Sequence, residues 1–142
     1  MDRFQKIIWD LSEETHLILQ PDKNNACKIL LDEKFAIQLE LDPHEEKLVI
    51  IALICEIPPG KFRENVLREA LKINSTYHPY GTFAYIEKTN TLALQQSFLI
   101  ESIQSDKLAE FLELFVEEAD LWHAAIQTGA PVPIKYSTQK YK

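Results

Sequence analysis

The chain has 142 residues, is 46% hydrophobic and carries 22 acidic against 15 basic residues, a formal net charge of -7 at pH 7. That length builds one domain around one core, and the apolar fraction excludes wholesale disorder. The acidic balance argues against a nucleic-acid binder, whose phosphate contacts need clustered Lys and Arg.

The N-terminus, MDRFQKIIWDLSEE, has no cationic region followed by an unbroken apolar run, so it does not read as a signal peptide. No window approaches the ~20 apolar residues of a membrane span. A cytoplasmic protein without membrane insertion is the expectation. Phe4, Ile7, Ile8 and Leu11 fall at i, i+3, i+4 and i+7 and predict an amphipathic first helix. Trp9 lies off that stripe, suited to rim packing or to a partner contact. The run PDKNN is a turn by composition.

Cys27, Ile29 and Leu31 then alternate as a first strand, and Asp32-Glu33-Lys34 leads tightly into a second. Phe35, Ile37, Leu39 and Leu41 alternate with Ala36, Gln38, Glu40 and Asp42, the two-residue period of a strand with one face in the core. From Asp42 to Lys47 the chain turns through charged residues, with Pro43 ending the second strand. Leu48 to Cys55, LVIIALIC, is apolar on both faces. This third strand is therefore central in a sheet, or one of its faces is reserved for something outside the subunit. Such short connections predict an antiparallel meander.

Pro58-Pro59-Gly60 stops that strand. A second helix, Lys61 to Asn74, places Phe62, Val66, Ala70 and Ile73 on one stripe, widened by Leu67 and Leu71. The extra width suggests a second contact, such as the same helix of another subunit. Thr82 to Ile86 and Thr91 to Phe98 flank EKTN as a second hairpin. Ser105 is placed to N-cap a long third helix whose stripe is Leu108, Phe111, Leu112, Phe115, Ala119, Trp122 and Ile126. Leu114 and Leu121 stand off that stripe, so the helix should be largely buried. Gly129, Pro131 and Pro133 end it. Residues 1–128 thus read as the folded domain and 129–142 as an extended, polar, basic tail. The element order defines an α+β domain, with a five-stranded, largely antiparallel sheet and three helices against one side.

No stretch reads as a catalytic apparatus. The glycines Gly60, Gly81 and Gly129 each adjoin a proline or an element end and form no phosphate-binding loop. Asp120 and His123 have a helical spacing that two metal ligands can share, but a third and fourth ligand are not apparent. Cys27 and Cys55 sit in strand patterns and read as small buried hydrophobes. Paired carboxylates such as Glu13-Glu14, Glu45-Glu46 and Glu117-Glu118 read as solvated faces, and Ser97, Ser102 and Ser105 have no nucleophile-elbow context. The chain is not expected to be an enzyme or to hold a cofactor or metal. What remains is surplus apolar surface beside an exposed sheet edge, the means by which proteins bind another chain.

The segment FAIQLELDPHEEKLVIIALICEIPP has an alternating strand, a charged turn, an apolar strand and a double-proline exit. With the following helix ending in LKIN and the strand pair after it, the chain resembles class I chaperones of bacterial type III secretion, the Tir chaperone (CesT-like) family. The resemblance spans Asp2 to Gln127, and the basic tail departs from it. It implies a homodimer in the bacterial cytoplasm that binds the N-terminal segment of a secreted effector in extended form. Such a chaperone keeps its cargo soluble and ready for secretion without ATP hydrolysis, and the secretion ATPase is a further candidate partner. Carried onto this chain, the resemblance puts effector-binding pockets at Ile7, Ile8, Leu11, Ile29, Leu31, Phe35 and Ile37, each of which could equally be core. It puts the dimer interface at Phe62, Val66, Leu67, Ala70, Leu71 and Phe83. The alternative is a regulatory or stress-related protein of the YbjN type, which has a similar fold.

Overall fold

The alternation between Cys27 and Leu41 becomes a hairpin in the computed structural model, which describes residues 3–16, 19–42, 44 and 46–137. In order the elements are α1 (Arg3–Thr15), β1 (Ala26–Leu31), β2 (Phe35–Asp42), β3 (Lys47–Glu56), α2 (Lys61–Asn74), β4 (Thr82–Ile86) and β5 (Thr91–Leu99). A 3-10 turn (Ile100–Ser102), α3 (Ser105–Gln127) and α4 (Ile134–Ser137) follow. The five strands form one sheet in the order β1-β2-β3-β5-β4, every pair antiparallel, which is the α+β arrangement that the element order predicts. Asp32 and Glu33 both take positive φ, 49° and 58°, as the two central positions of a type I′ turn demand.

β3 is the middle strand. Leu48, Ile50, Ala52 and Ile54 are fully buried on one face, while Val49, Ile51 and Leu53 are half-buried on the other. On that second face Val49 lies between Glu40 and Ser97, and Ile51 between Gln38 and Gln95. A central strand flanked by polar neighbours explains the unbroken run LVIIALIC. α1 buries Phe4, Ile7, Ile8 and Leu11. α3 packs on α1 and β3 and buries Leu108, Leu112, Phe115, Ala119, Trp122 and Ile126. Phe111 is partly buried, edge-on to Phe98 at 5.0 Å between ring centroids.

Three expectations are corrected. The N-cap of α3 is Gln104, with no side-chain cap bond, and Ser105 is already helical. Leu114 and Leu121 are 47% and 44% exposed, because α3 packs through its inner stripe and leaves its outer side in water. The segment after Gly129 does not simply extend: Val132 and Pro133 are buried, α4 follows, and Lys135 and Tyr136 return to Glu118 on α3. The remaining tail, 138–142, lies outside the described residues, as do residues 1, 2, 17 and 18. Glu45 and Pro43, with the strand-ending role given to it, also lie outside them.

The two edge strands differ in how their outward backbone is satisfied. The β4–β5 register turns the backbone of Phe83 away from β5, and Asn74 at the end of α2 meets it. Asn74 Nδ2 donates to the Phe83 carbonyl at 2.9 Å, and Asn74 Oδ1 accepts from the Phe83 N–H at 2.8 Å. Tyr85 is the next outward residue. Immediately before β4, Gly81 has φ 122°, and a Cβ there would lie 2.1 Å from the Gln95 carbonyl oxygen. On β1, the Leu41 N–H donates to the Asn25 carbonyl at 3.1 Å, so Cys27, Ile29 and Leu31 bond toward β2 and Ala26, Lys28 and Leu30 face outward. Asp22 satisfies both backbone groups of Ala26. Lys28 and Leu30 form the open stretch of that edge among the described residues.

Replacing Asn74 with alanine removes both bonds to Phe83. The expected cost is ~1–3 kcal/mol, read as a lower urea midpoint with an unchanged m-value. An unchanged midpoint would mean that water satisfies Phe83 equally well.

Candidate functional site

A groove of ≈ 600 Å³ runs between the last turn of α1, the β1–β2 hairpin and α3. The strand period puts Ile29 and Leu31 on one face of β1, and the register sets Ile29 opposite Ile37. From α3 come Ala109, Leu112 and Val116, spaced so that their side chains fall on one side of the helix. Five carboxylates edge this apolar lining: Glu14 from α1 and Asp106, Glu110, Glu113 and Glu117 from α3. No Lys, Arg or His lines the groove, and none of the five carboxylates forms an ion pair among the described residues.

Of the seven residues expected at an effector surface, Ile29, Leu31 and Ile37 line this groove, with Ile37 fully buried at its base. Ile7, Ile8, Leu11 and Phe35 are buried in the core, where they hold α1 and the hairpin in place. The α3 wall escaped the sequence reading. Its signal was nonetheless there, because Asp106, Glu110, Glu113 and Glu117 recur at i, i+4, i+7 and i+11 as an acidic stripe beside the apolar one.

Of the six residues expected at a subunit interface, Val66, Ala70 and Phe83 are buried inside this subunit, and Phe83 stacks on His78 and lies tilted against Trp122. Phe62 and Leu67 are partly buried, whereas Leu71 is 66% exposed. Leu67 and Leu71 share a shallow hollow with Glu64, Arg68, Lys72 and Ser75. Trp9 is exposed on α1.

Elsewhere polar groups are spent on structure. The buried Glu118 carboxylate accepts from His78 Nε2 at 3.1 Å, Trp122 Nε1 at 3.3 Å, Lys135 Nζ at 2.6 Å and the Tyr136 hydroxyl. Burial acts to raise its pKa. The hydrogen bonds from His78, Lys135 and Tyr136, with the Lys135 charge, outweigh burial and hold it at about 2, against an ordinary 4.5. Burial and the same carboxylate push the Tyr136 hydroxyl well up. This cluster fastens the segment after Gly129 to α3. Asp120 pairs with Lys34 at 3.4 Å and the His123 ring lies against Phe35, so Asp120 and His123 do not converge.

Cys27 is buried and Cys55 half-buried, both as free thiols that burial pushes up, Cys55 to about 11. Among the described residues no cluster of three or more His, Cys, Asp or Glu is placed to hold a metal. No helix among them is long and apolar enough to cross a membrane.

A profile of the Tir chaperone protein (CesT) family matches residues 6–123. Among individual curated proteins the chain has no significant match. Solved structures share its fold. One is from the HopA1–SchA chaperone–effector complex, at 23% identity and TM-score 0.68, covering 87% of this chain and 94% of that one. Another is from the ExsC–ExsE complex, at 19% identity and TM-score 0.73, covering 89% and 97%. A third is from the heterodimeric ExoU–SpcU complex of the Pseudomonas aeruginosa type III secretion system, at 15% identity and TM-score 0.65, covering 86% and 98%.

Proposed function

The chain belongs to the Tir chaperone protein (CesT) family, and from that premise we propose that it binds the N-terminal region of one or more secreted effectors in extended form. It keeps them soluble and secretion-competent. The observation that carries this reading is the groove lined by Ile29, Leu31 and Ile37, next to the outward backbone of Lys28 and Leu30. An extended segment laid along β1 pairs its main chain with those two residues and places alternate side chains over the apolar lining. The neighbouring HopA1–SchA structure is a chaperone–effector complex, which supports a partner of the same kind here.

Holding a segment this way uses burial and main-chain pairing alone, so no ATP hydrolysis and no enzymatic step is involved. The chaperone acts in the bacterial cytoplasm as a homodimer and hands its cargo to the secretion machinery, the secretion ATPase included. The exposed Leu71 beside Leu67 on α2 supports a contact between copies, where burying one such side chain contributes ~1.5–3 kcal/mol.

Coexpression with effector N-terminal segments, followed by size-exclusion chromatography with light scattering, tests the proposal. The expected result is a species built on twice the 16.5 kDa chain that retains one segment. A monomer that retains none contradicts it and favours a stand-alone regulatory protein.

A further inference from the structure

The groove is apolar along its lining and, among the described residues, carries only negative charge at its edges. An apolar lining of Ile29, Leu31 and Val116 over the buried Ile37 takes apolar side chains without regard to what flanks them, so it selects weakly among hydrophobic segments. The carboxylates supply what the lining lacks. Asp106, Glu110, Glu113 and Glu117 form one stripe along α3, and Glu14 faces them from the end of α1. None is neutralised by a cation among the described residues.

We infer that this ring makes the groove selective for segments whose apolar residues are flanked by Lys or Arg, and that it rejects acidic ones. The inference rests on the reading of the groove as the effector site and specifies which cargo chemistry that site takes. A single exposed ion pair contributes little. Five like charges around one groove build a field that speeds the approach of a cationic chain, and a bound segment with acidic flanks would hold like charges against it. The occupant is therefore an extended protein segment with alternating apolar anchors and basic flanks. The chain's own charge of -7 works in the same direction.

The test selects binders from a yeast-displayed library of random 20-residue segments, using the purified full chain and a charge-reversed variant, Glu110→Lys with Glu113→Lys and Glu117→Lys. These positions edge the groove from α3, and the variant's thermal midpoint checks its fold. With the native chain, the expected binders have alternating apolar anchors with Lys or Arg beside them, and their affinity falls at least ~10-fold on going from low salt to ~1 M. With the variant, the same anchors should return with Asp or Glu beside them.

Binders with apolar anchors and no charge bias, identical for both proteins, would overturn the charge selection and leave the groove as the binding site. Binders unaffected by Leu31→Asp, or no binders at all, would overturn the groove reading itself and the inference with it.

Discussion

Replacing Glu118 with alanine is expected to destabilise the fold by ~3–5 kcal/mol, the cost of removing one partner from a buried charged cluster. The carboxylate is 1% exposed and serves four donors, from His78, Trp122, Lys135 and Tyr136. Lys135 is nearly half exposed and can turn to water, so most of the loss falls on the other three. For a chain of this length that corresponds to a thermal midpoint lower by roughly 10–17 °C.

The effect depends on pH with a definite sign. The folded-state pKa is depressed, so the contribution is complete above the unfolded value of 4.5 and is lost as pH falls toward about 2. Thermal midpoints of the native chain and of Glu118→Gln should therefore differ most near neutrality, draw together below pH 4.5 and converge only as pH reaches about 2. A constant difference across that window would assign the loss to packing and not to the charge. The cluster also ties α4 to α3, and limited proteolysis after Tyr136 should accelerate in the variant.

The second large effect is expected at Leu31. It is half-buried on the groove lining at the end of an edge strand, so Leu31→Asp leaves the core intact. It removes an apolar contact of ~1.5–3 kcal/mol from the occupied groove and adds a sixth carboxylate beside five. Affinity for an effector segment should fall about 100-fold, as read by titration of a labelled segment. Leu30→Asp is the internal control. Leu30 is 65% exposed and points to the opposite face, while its backbone stays on the open edge, so binding should be retained. Loss of binding in both variants, or in neither, would move the site off the groove.

The parts of the fold legible in the sequence were those governed by a local period. The stripe Phe4, Ile7, Ile8, Leu11 and the alternation of Phe35 to Leu41 each became the face that packs. LVIIALIC correctly marked the central strand, whose second face, Val49, Ile51 and Leu53, is half-covered between β2 and β5. What escaped depended on tertiary partners. Leu114 and Leu121 look like core by hydrophobicity, yet nothing in their spacing says that the inner stripe alone meets α1 and β3. The segment after Gly129 lacks any period. Its docking comes from Glu118, a single buried residue in a sequence rich in solvated carboxylates.

The groove was half legible for the same reason. Its strand wall follows from the alternation of Ile29 and Leu31. Its helix wall requires knowing that α3 lies across the hairpin, and the residues that give it charge look like an ordinary solvated face. At α2 the stripe was read correctly as apolar, but the helix turns Val66 and Ala70 inward and leaves Leu71 to solvent.

The most direct measurement is backbone amide hydrogen exchange of the chain with and without a bound effector segment. If a foreign chain lies along β1 beside the groove, the outward amides of Lys28 and Leu30 should become strongly protected, while that of Tyr85 on the opposite edge is unchanged. Protection confined to Tyr85 or to α2, with Lys28 and Leu30 exchanging as before, would contradict the account.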